Sequence, residues 1–171
     1  MRFKQNCAYK DNEGNYWFVR WVEPLMFESE ESRIFTAGLL SFSRPDYLPN
    51  DGFTEYTFSG ATGEIRLPLH AKCNKGFKLE LDNVLDYNIN NSFFDTFKNC
   101  WKRLTTKSAE FKKFDMVRCA SFKEDGIVIT KDELDNEFLI YYPMTGVRQW
   151  EHASDLEFVY RPISAVNTNA I

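Results

Sequence analysis

Apolar and polar positions alternate with a period of two along much of this chain, the pattern of half-buried strands. "RFKQNCAY" and "YWFVRWV" flank the turn cluster "KDNEGN", which predicts a hairpin. In the second of these segments Trp17, Val19 and Trp21 alternate with Phe18, Arg20 and Val22. Both sets are largely apolar, so the strand is expected to be covered on both sides, and Pro24 ends its ladder. "RIFTAGLLSF" reads as a strand, with a helix as the alternative. "FTEYTF" and "EIRLPL" surround "SGATG" and predict a second hairpin that buries Phe53, Tyr56 and Phe58. "GFKLELDNV" sets Phe77, Leu79 and Leu81 against Lys78, Glu80 and Asp82, the most regular alternation in the chain.

The period then changes. "NNSFFDTFKNCWKRLTTK" places Phe93, Phe94, Phe97, Cys100, Trp101 and Leu104 on one helical stripe. Asn91 or Ser92 is the expected N-cap. Asp95 in the first turn and Lys102, Arg103 and Lys107 near the end suit the helix dipole. A helix is therefore predicted over 91–105. Short strands return after it: "MVRCASF", "IVITKDE", "EFLIYYP", "VRQWEH" and "ASDLEFV", separated by "KEDG", "LDN" and "MTG". The polar end "SAVNTNAI" is expected to fray.

The stretches "FDMVRCASFKEDGIV", "EFLIYYP" and "VRQWEHASDLEFV", with their spacing, resemble an SH3-like small barrel of the Tudor/KOW kind over residues 112–162. In such barrels the strand after the first turn opens with Gly and then Val or Ile, as in Gly126-Ile127-Val128. A short helical turn often precedes the last strand, and "HASDLE" suits it. The resemblance implies a binding module for peptides, methylated side chains, nucleic acid or a neighbouring domain. An aromatic ligand face would draw on Phe122, Tyr141, Tyr142 and Trp150. Tyr141 and Tyr142 point to opposite faces of one strand, so at most one of them lines a given groove. The plainer alternative keeps Trp150 and one tyrosine in the core.

Charge divides the chain into three. Residues 98–118 carry Lys98, Lys102, Arg103, Lys107, Lys112, Lys113 and Arg118 against Glu110 and Asp115, a net of +5. Residues 1–97 sum to −4 and 119–171 to −5, so the whole is −4. An acidic chain with a pI of about 5.3 is a poor non-specific nucleic-acid binder. KOW-type barrels that bind nucleic acid tend to be basic, and this one is not. The belt 98–118, interleaved with Trp101, Phe111 and Phe114, is the exception, because cations and aromatics together hold single strands. Its plainer reading is a solvated helix end whose aromatics dock onto the barrel.

Reactive chemistry finds little purchase. Cys7, Cys73, Cys100 and Cys119 are scattered without a CxxC, as buried thiols of a reducing compartment would be. His70 and Cys73 form one ligand pair where structural zinc normally uses two. G-x-S-x-G and P-loop patterns are missing, and no segment brings Cys73 to His152. The acidic groups Glu28/Glu30/Glu31, Asp132/Glu133/Asp135/Glu137 and Asp155/Glu157 fall in turns and read as solvated charge.

With no apolar leader in "MRFKQNCAYKD" and no run of about 18 apolar residues, a cytoplasmic protein without membrane contact is expected. Hydrophobic residues at 43%, with sixteen Phe and eight Tyr, are enough for a core. The expected fold is mainly β (β-rich α+β). An N-terminal antiparallel β region (1–88) leads through the amphipathic helix and basic linker (89–111) to the SH3-like barrel (112–162) and a tail (163–171).

The expected function is a non-enzymatic protein-binding or regulatory factor, an adaptor or inhibitor of the kind a phage or mobile element encodes, with another protein as partner. No cofactor or metal is expected. The alternative is a nucleic-acid-binding accessory protein using the belt. On that alternative, charge reversal at Lys102, Arg103, Lys112 and Lys113 abolishes binding in a filter-binding assay, and affinity falls steeply with salt. A salt-insensitive complex with a protein rejects it.

Overall fold

The computed structural model describes residues 3–23, 33–45, 55–66, 77–87, 110–122 and 124–164. The helix expected over 91–105, Phe53 and the "HAKC" segment lie outside them. The described chain is mainly β, in two antiparallel sheets. It divides into two compact units, Met1–Asp86 with Ile163–Ile171, and Tyr87–Pro162.

The first unit holds β1 (Cys7–Asp11), β2 (Tyr16–Val22), β3 (Ile34–Leu39), β4 (Glu55–Ser59), β5 (Ile65–Arg66), β6 (Leu79–Asp86) and, from the far end of the chain, β12 (Ile163–Ser164). Their order in the sheet is β12-β6-β1-β2-β3-β4-β5. Both predicted hairpins are present, as β1–β2 and β4–β5. The sheet curls until its ends meet. Glu64 bridges to Lys78, and the Leu79 N–H donates to the Gly63 carbonyl at 2.9 Å. Gly63 has φ +71°, and a side chain there would meet the Leu79 carbonyl oxygen at 2.5 Å, so only glycine allows this approach.

The curled sheet encloses an aromatic core. Trp17 meets Phe58 edge-on at 5.4 Å, Phe35 stacks on Phe58, and Phe3 stacks on Phe35. At the mouth of the β1–β2 turn the Asp11 carboxylate is buried. It accepts the Trp17 indole N–H at 3.0 Å and the backbone N–H groups of Glu13 and Asn15, each at 2.9 Å. This acidic group is satisfied from both sides of the turn it closes.

Two bulges alter the expected pattern. Val19 pairs with Ala37, but Trp21 pairs with Thr36, so Arg20 is an extra residue on β2. The slip reverses the facing of everything after it. Val22 packs on the core, and Trp21, grouped by alternation with Trp17 and Val19, is 56% exposed. On β6, Tyr9 pairs with Val84 while Asp11 pairs with Leu79, so the residues between loop out and Leu81 is exposed rather than buried. The tail expected at 163–171 is also corrected. Ile163 and Ser164 pair with Asp86 and Leu85 as β12.

The second unit holds β7 (Met116–Cys119), β8 (Asp125–Asp132), β9 (Glu137–Tyr142), β10 (Val147–His152) and β11 (Leu156–Tyr160), ordered β10-β9-β8-β7-β11. A single 3-10 turn, Ala153–Asp155, separates β10 from β11. Val117, Val128, Phe138, Ile140, Tyr142 and Leu156 form a core on one side of the sheet. Ile127, Leu139 and Tyr141 on the other side are buried too. The unit includes Tyr87, whose hydroxyl donates to the Phe114 carbonyl at 2.9 Å.

Asp115 closes this unit. Its fully buried carboxylate accepts Nε and Nη2 of Arg161, both at 2.6 Å, and the Lys112 N–H at 2.8 Å. Removing the guanidinium strands a buried charge, whereas the Arg118–Asp125 pair is more exposed. Because Arg161 itself is half solvated, Arg161→Ala is expected to cost about 3 kcal/mol, the low end for a broken buried pair. Arg118→Ala is expected to cost no more than about 1 kcal/mol. Urea unfolding of the two variants measures the difference, and equal losses would show that Asp115 does not hold the unit together.

Candidate functional site

Two loops meet at one end of the second unit. Glu124, just before β8, accepts the Met144 N–H at 3.1 Å and the Thr145 hydroxyl at 2.7 Å, which ties it to the β9–β10 turn. That turn is closed by the Gly146 N–H donating to the Tyr142 carbonyl at 2.8 Å, with Gly146 at φ +73°. Phe122, in the same loop as Glu124, is half-buried and stacks on Tyr142 with centroids 4.4 Å apart and planes 14° apart. Met144 stands out at 75% exposure. Gly126 makes the stack possible: a side chain there would lie 2.2 Å from Ile140 Cγ2 and 2.9 Å from the Tyr142 ring.

The four aromatics expected on a ligand face therefore separate. Tyr141 and Tyr142 are both fully buried. The Tyr142 hydroxyl donates to the buried Glu151 carboxylate at 3.2 Å, and burial pushes its ionisation well above the ordinary phenol range, so it acts as a neutral donor. Trp150 pairs with Leu139, and Phe122 lies on Tyr142, whose neighbour in register is Val147. Leu139 and Tyr142 face opposite sides of β9, so Phe122 and Trp150 serve different faces and do not share a groove. Trp150 keeps 39% of its surface exposed and is not a core residue. Phe122, Glu124 and Met144 are the side chains that the loop end offers together.

Of the basic belt, Lys98, Lys102, Arg103 and Lys107 lie outside the described residues. Arg118 grips Asp125 through two hydrogen bonds, at 2.7 and 2.9 Å, and that contact raises its pKa. Its charge is spent within the fold. Lys112 and Lys113 are exposed, and the Lys113 ammonium sits 5.1 Å from the Phe114 ring centre. Phe111 packs edge-on against Phe138, at the edge of the second unit's core.

The thiols and histidine do not converge. Cys119 is buried with its sulfur 2.9 Å from the Ser121 hydroxyl. Cys7 is buried, and its sulfur lies 3.7 Å from an Asp86 carboxylate oxygen. Burial, reinforced by the Asp86 charge, pushes this thiol up to about 11, so it stays protonated and is a poor nucleophile at neutral pH. His152 Nδ1 is occupied by Ser154 at the 3-10 turn. Among the described residues no three His, Cys, Asp or Glu side chains are placed to hold a metal ion. Nor, among them, is any helix long and apolar enough to cross a membrane. Comparison with protein-family models, curated proteins and solved structures finds no match.

Sequence reasoning missed Glu124, because a turn glutamate looks solvated until the second loop is in place. It also missed Asp11, although an Asp opening "DNEGN" is a common way to cap a turn.

Cys7 has a measurable consequence. The unfolded thiol loses its proton near pH 9.0, while the folded one holds it to about 11. The unfolded state thus gains ground as pH rises through that window, and stability is lost. Chemical denaturation between pH 8 and 11 is expected to show a fall to which Cys7 contributes about 1–2 kcal/mol. Cys7→Ala should flatten that part of the curve, and an unchanged slope would refute the assignment.

Proposed function

We propose that this protein is a non-enzymatic protein-binding factor, an adaptor or inhibitor, acting through its second unit as a small barrel of the SH3-like kind. Support for the barrel comes from the strand order β10-β9-β8-β7-β11 and the 3-10 turn before the last strand. Four consecutive strands form a meander, and the first and last strands of the unit are neighbours. A fold of this kind does not name a ligand. The observation that carries the binding reading is the loop end held by Glu124, where half-buried Phe122 and exposed Met144 flank an acidic group. Loops fixed in place by a rigid sheet are where binding residues concentrate. An apolar anchor with a charged rim suits a protein partner better than a phosphate backbone.

The test is affinity capture from native extract, with and without nuclease, using the wild-type protein, Met144→Asp and Trp150→Ala. The reading expects a stoichiometric protein that survives nuclease, is lost with Met144→Asp and persists with Trp150→Ala. Melting temperature should be unchanged for Met144→Asp, because the side chain is at the surface. Partners that all vanish with nuclease would overturn it, as would a nuclease-resistant partner indifferent to Met144.

A further inference from the structure

Among the described residues, sulfur meets solvent very unevenly. Cys7, Cys119 and Met116 are buried, Met116 at 8% exposure, whereas Met144 in the β9–β10 turn is 75% exposed. Met1 and Met26 lie outside the described residues. Burial, reinforced by the Asp86 charge, also keeps the Cys7 thiol protonated at neutral pH, which slows its oxidation. A thioether has no proton to lose before its sulfur reacts, so for methionine access to the oxidant is what matters.

The turn that carries Met144 is fixed by other atoms. The Met144 N–H and the Thr145 hydroxyl reach the Glu124 carboxylate, and the Gly146 N–H closes on the Tyr142 carbonyl. Phe122, in the neighbouring loop, is held on the buried Tyr142 ring. Chemistry at the Met144 sulfur changes none of these groups. The loop end thus presents a reactive, apolar side chain on a backbone that does not depend on its oxidation state.

On the reading that the loop end binds a protein, we propose that Met144 is a reversible oxidation site that releases this partner. The oxidant is hydrogen peroxide. A sulfur lone pair attacks one peroxide oxygen, the O–O bond breaks and an S–O bond forms. The departing hydroxide takes the proton from the transferred oxygen. Sulfur loses two electrons, and the peroxide leaves one oxygen on sulfur and one water. Two thiols reverse the step through a methionine sulfoxide reductase, giving the thioether, a disulfide and water.

The consequence for binding follows from polarity. A methionine thioether adapts to an apolar pocket on a partner. The sulfoxide carries a strong acceptor oxygen into the same pocket, where it lacks a donor. Affinity should fall about 10–100-fold, the effect of burying one unsatisfied polar group. A bound partner covers Met144, so oxidation acts on the free protein, and partner and oxidant exclude one another.

The experiment treats the full chain with hydrogen peroxide at neutral pH and follows oxygen gain at each methionine by peptide mass mapping. Met144 should oxidise about tenfold faster than Met116 or more, with the melting temperature unchanged. Affinity capture then compares treated and untreated wild type with Met144→Leu and Met144→Asp. The oxidised wild type should lose the nuclease-resistant partner and regain it after incubation with methionine sulfoxide reductases and a dithiol. Met144→Leu, close in volume and without sulfur, should hold the partner before and after peroxide. Equal oxidation of Met144 and Met116 would overturn the proposal, as would peroxide sensitivity that persists in Met144→Leu. Oxidised wild type that keeps a partner lost from Met144→Asp would overturn the switch and leave the binding reading standing. A partner that Met144→Asp retains would overturn both.

Discussion

The second unit depends on one buried carboxylate. Asp115 is fully enclosed, and a charge in that position is tolerated only when it is paired and hydrogen-bonded. Arg161 supplies two donors and Lys112 a third. These partners come from just before β7 and just after β11, the neighbouring first and last strands of the unit. The same contact steadies the turn at 112–115, where Phe114 adopts φ +72°, an unfavourable conformation for a bulky side chain. The Asp115 N–H donates to the Lys112 carbonyl, and the Phe114 N–H reaches Val128 on β8. A local conformation that Phe114 would not choose alone is thus fixed from several directions, as strained residues require.

Asp11 plays a comparable part in the first unit, with a difference that matters. Its donors are an indole, backbone amides and the Asn15 side-chain amide rather than a guanidinium. It therefore organises a turn and orients Trp17, around which Tyr56, Phe58 and Phe77 pack. In both units an acidic residue in a turn reaches inward, and the aromatic packing is arranged around what that residue bonds.

Each unit leaves an aromatic side chain partly open to solvent, for a different reason. Gly126 clears room for Tyr142, which gives Phe122 a ring to lie on beside the Glu124 tie. The Arg20 bulge turns an indole outward on a sheet whose inner face is already filled. A glycine in a regular strand in one unit and a bulge in the other thus each leave an aromatic partly open to solvent beside well-paired backbone.

Local patterning was enough to reveal most of the strands. Period-two alternation and the turn residues of "KDNEGN", "SGATG" and "MTG" identify both hairpins of the first unit and the run of short strands from Met116 to Tyr160, because those signals act between near neighbours. The 3-10 turn at "HASDLE" is expected from the resemblance to small barrels, and the structure shows it capped by the His152 side chain. Tertiary structure alone decided the rest. Trp21 and Leu81 share the alternation of buried residues and are exposed, since a bulge is set by pairing with another strand. Tyr141 and Tyr142 alternate as if one faced water and both are buried, since a strand's own alternation does not say whether its second face is covered. Ile163 and Ser164 read as the start of a tail and join a sheet begun by residue 7, because edge pairing depends on which strand lies alongside and not on the pairing residues themselves.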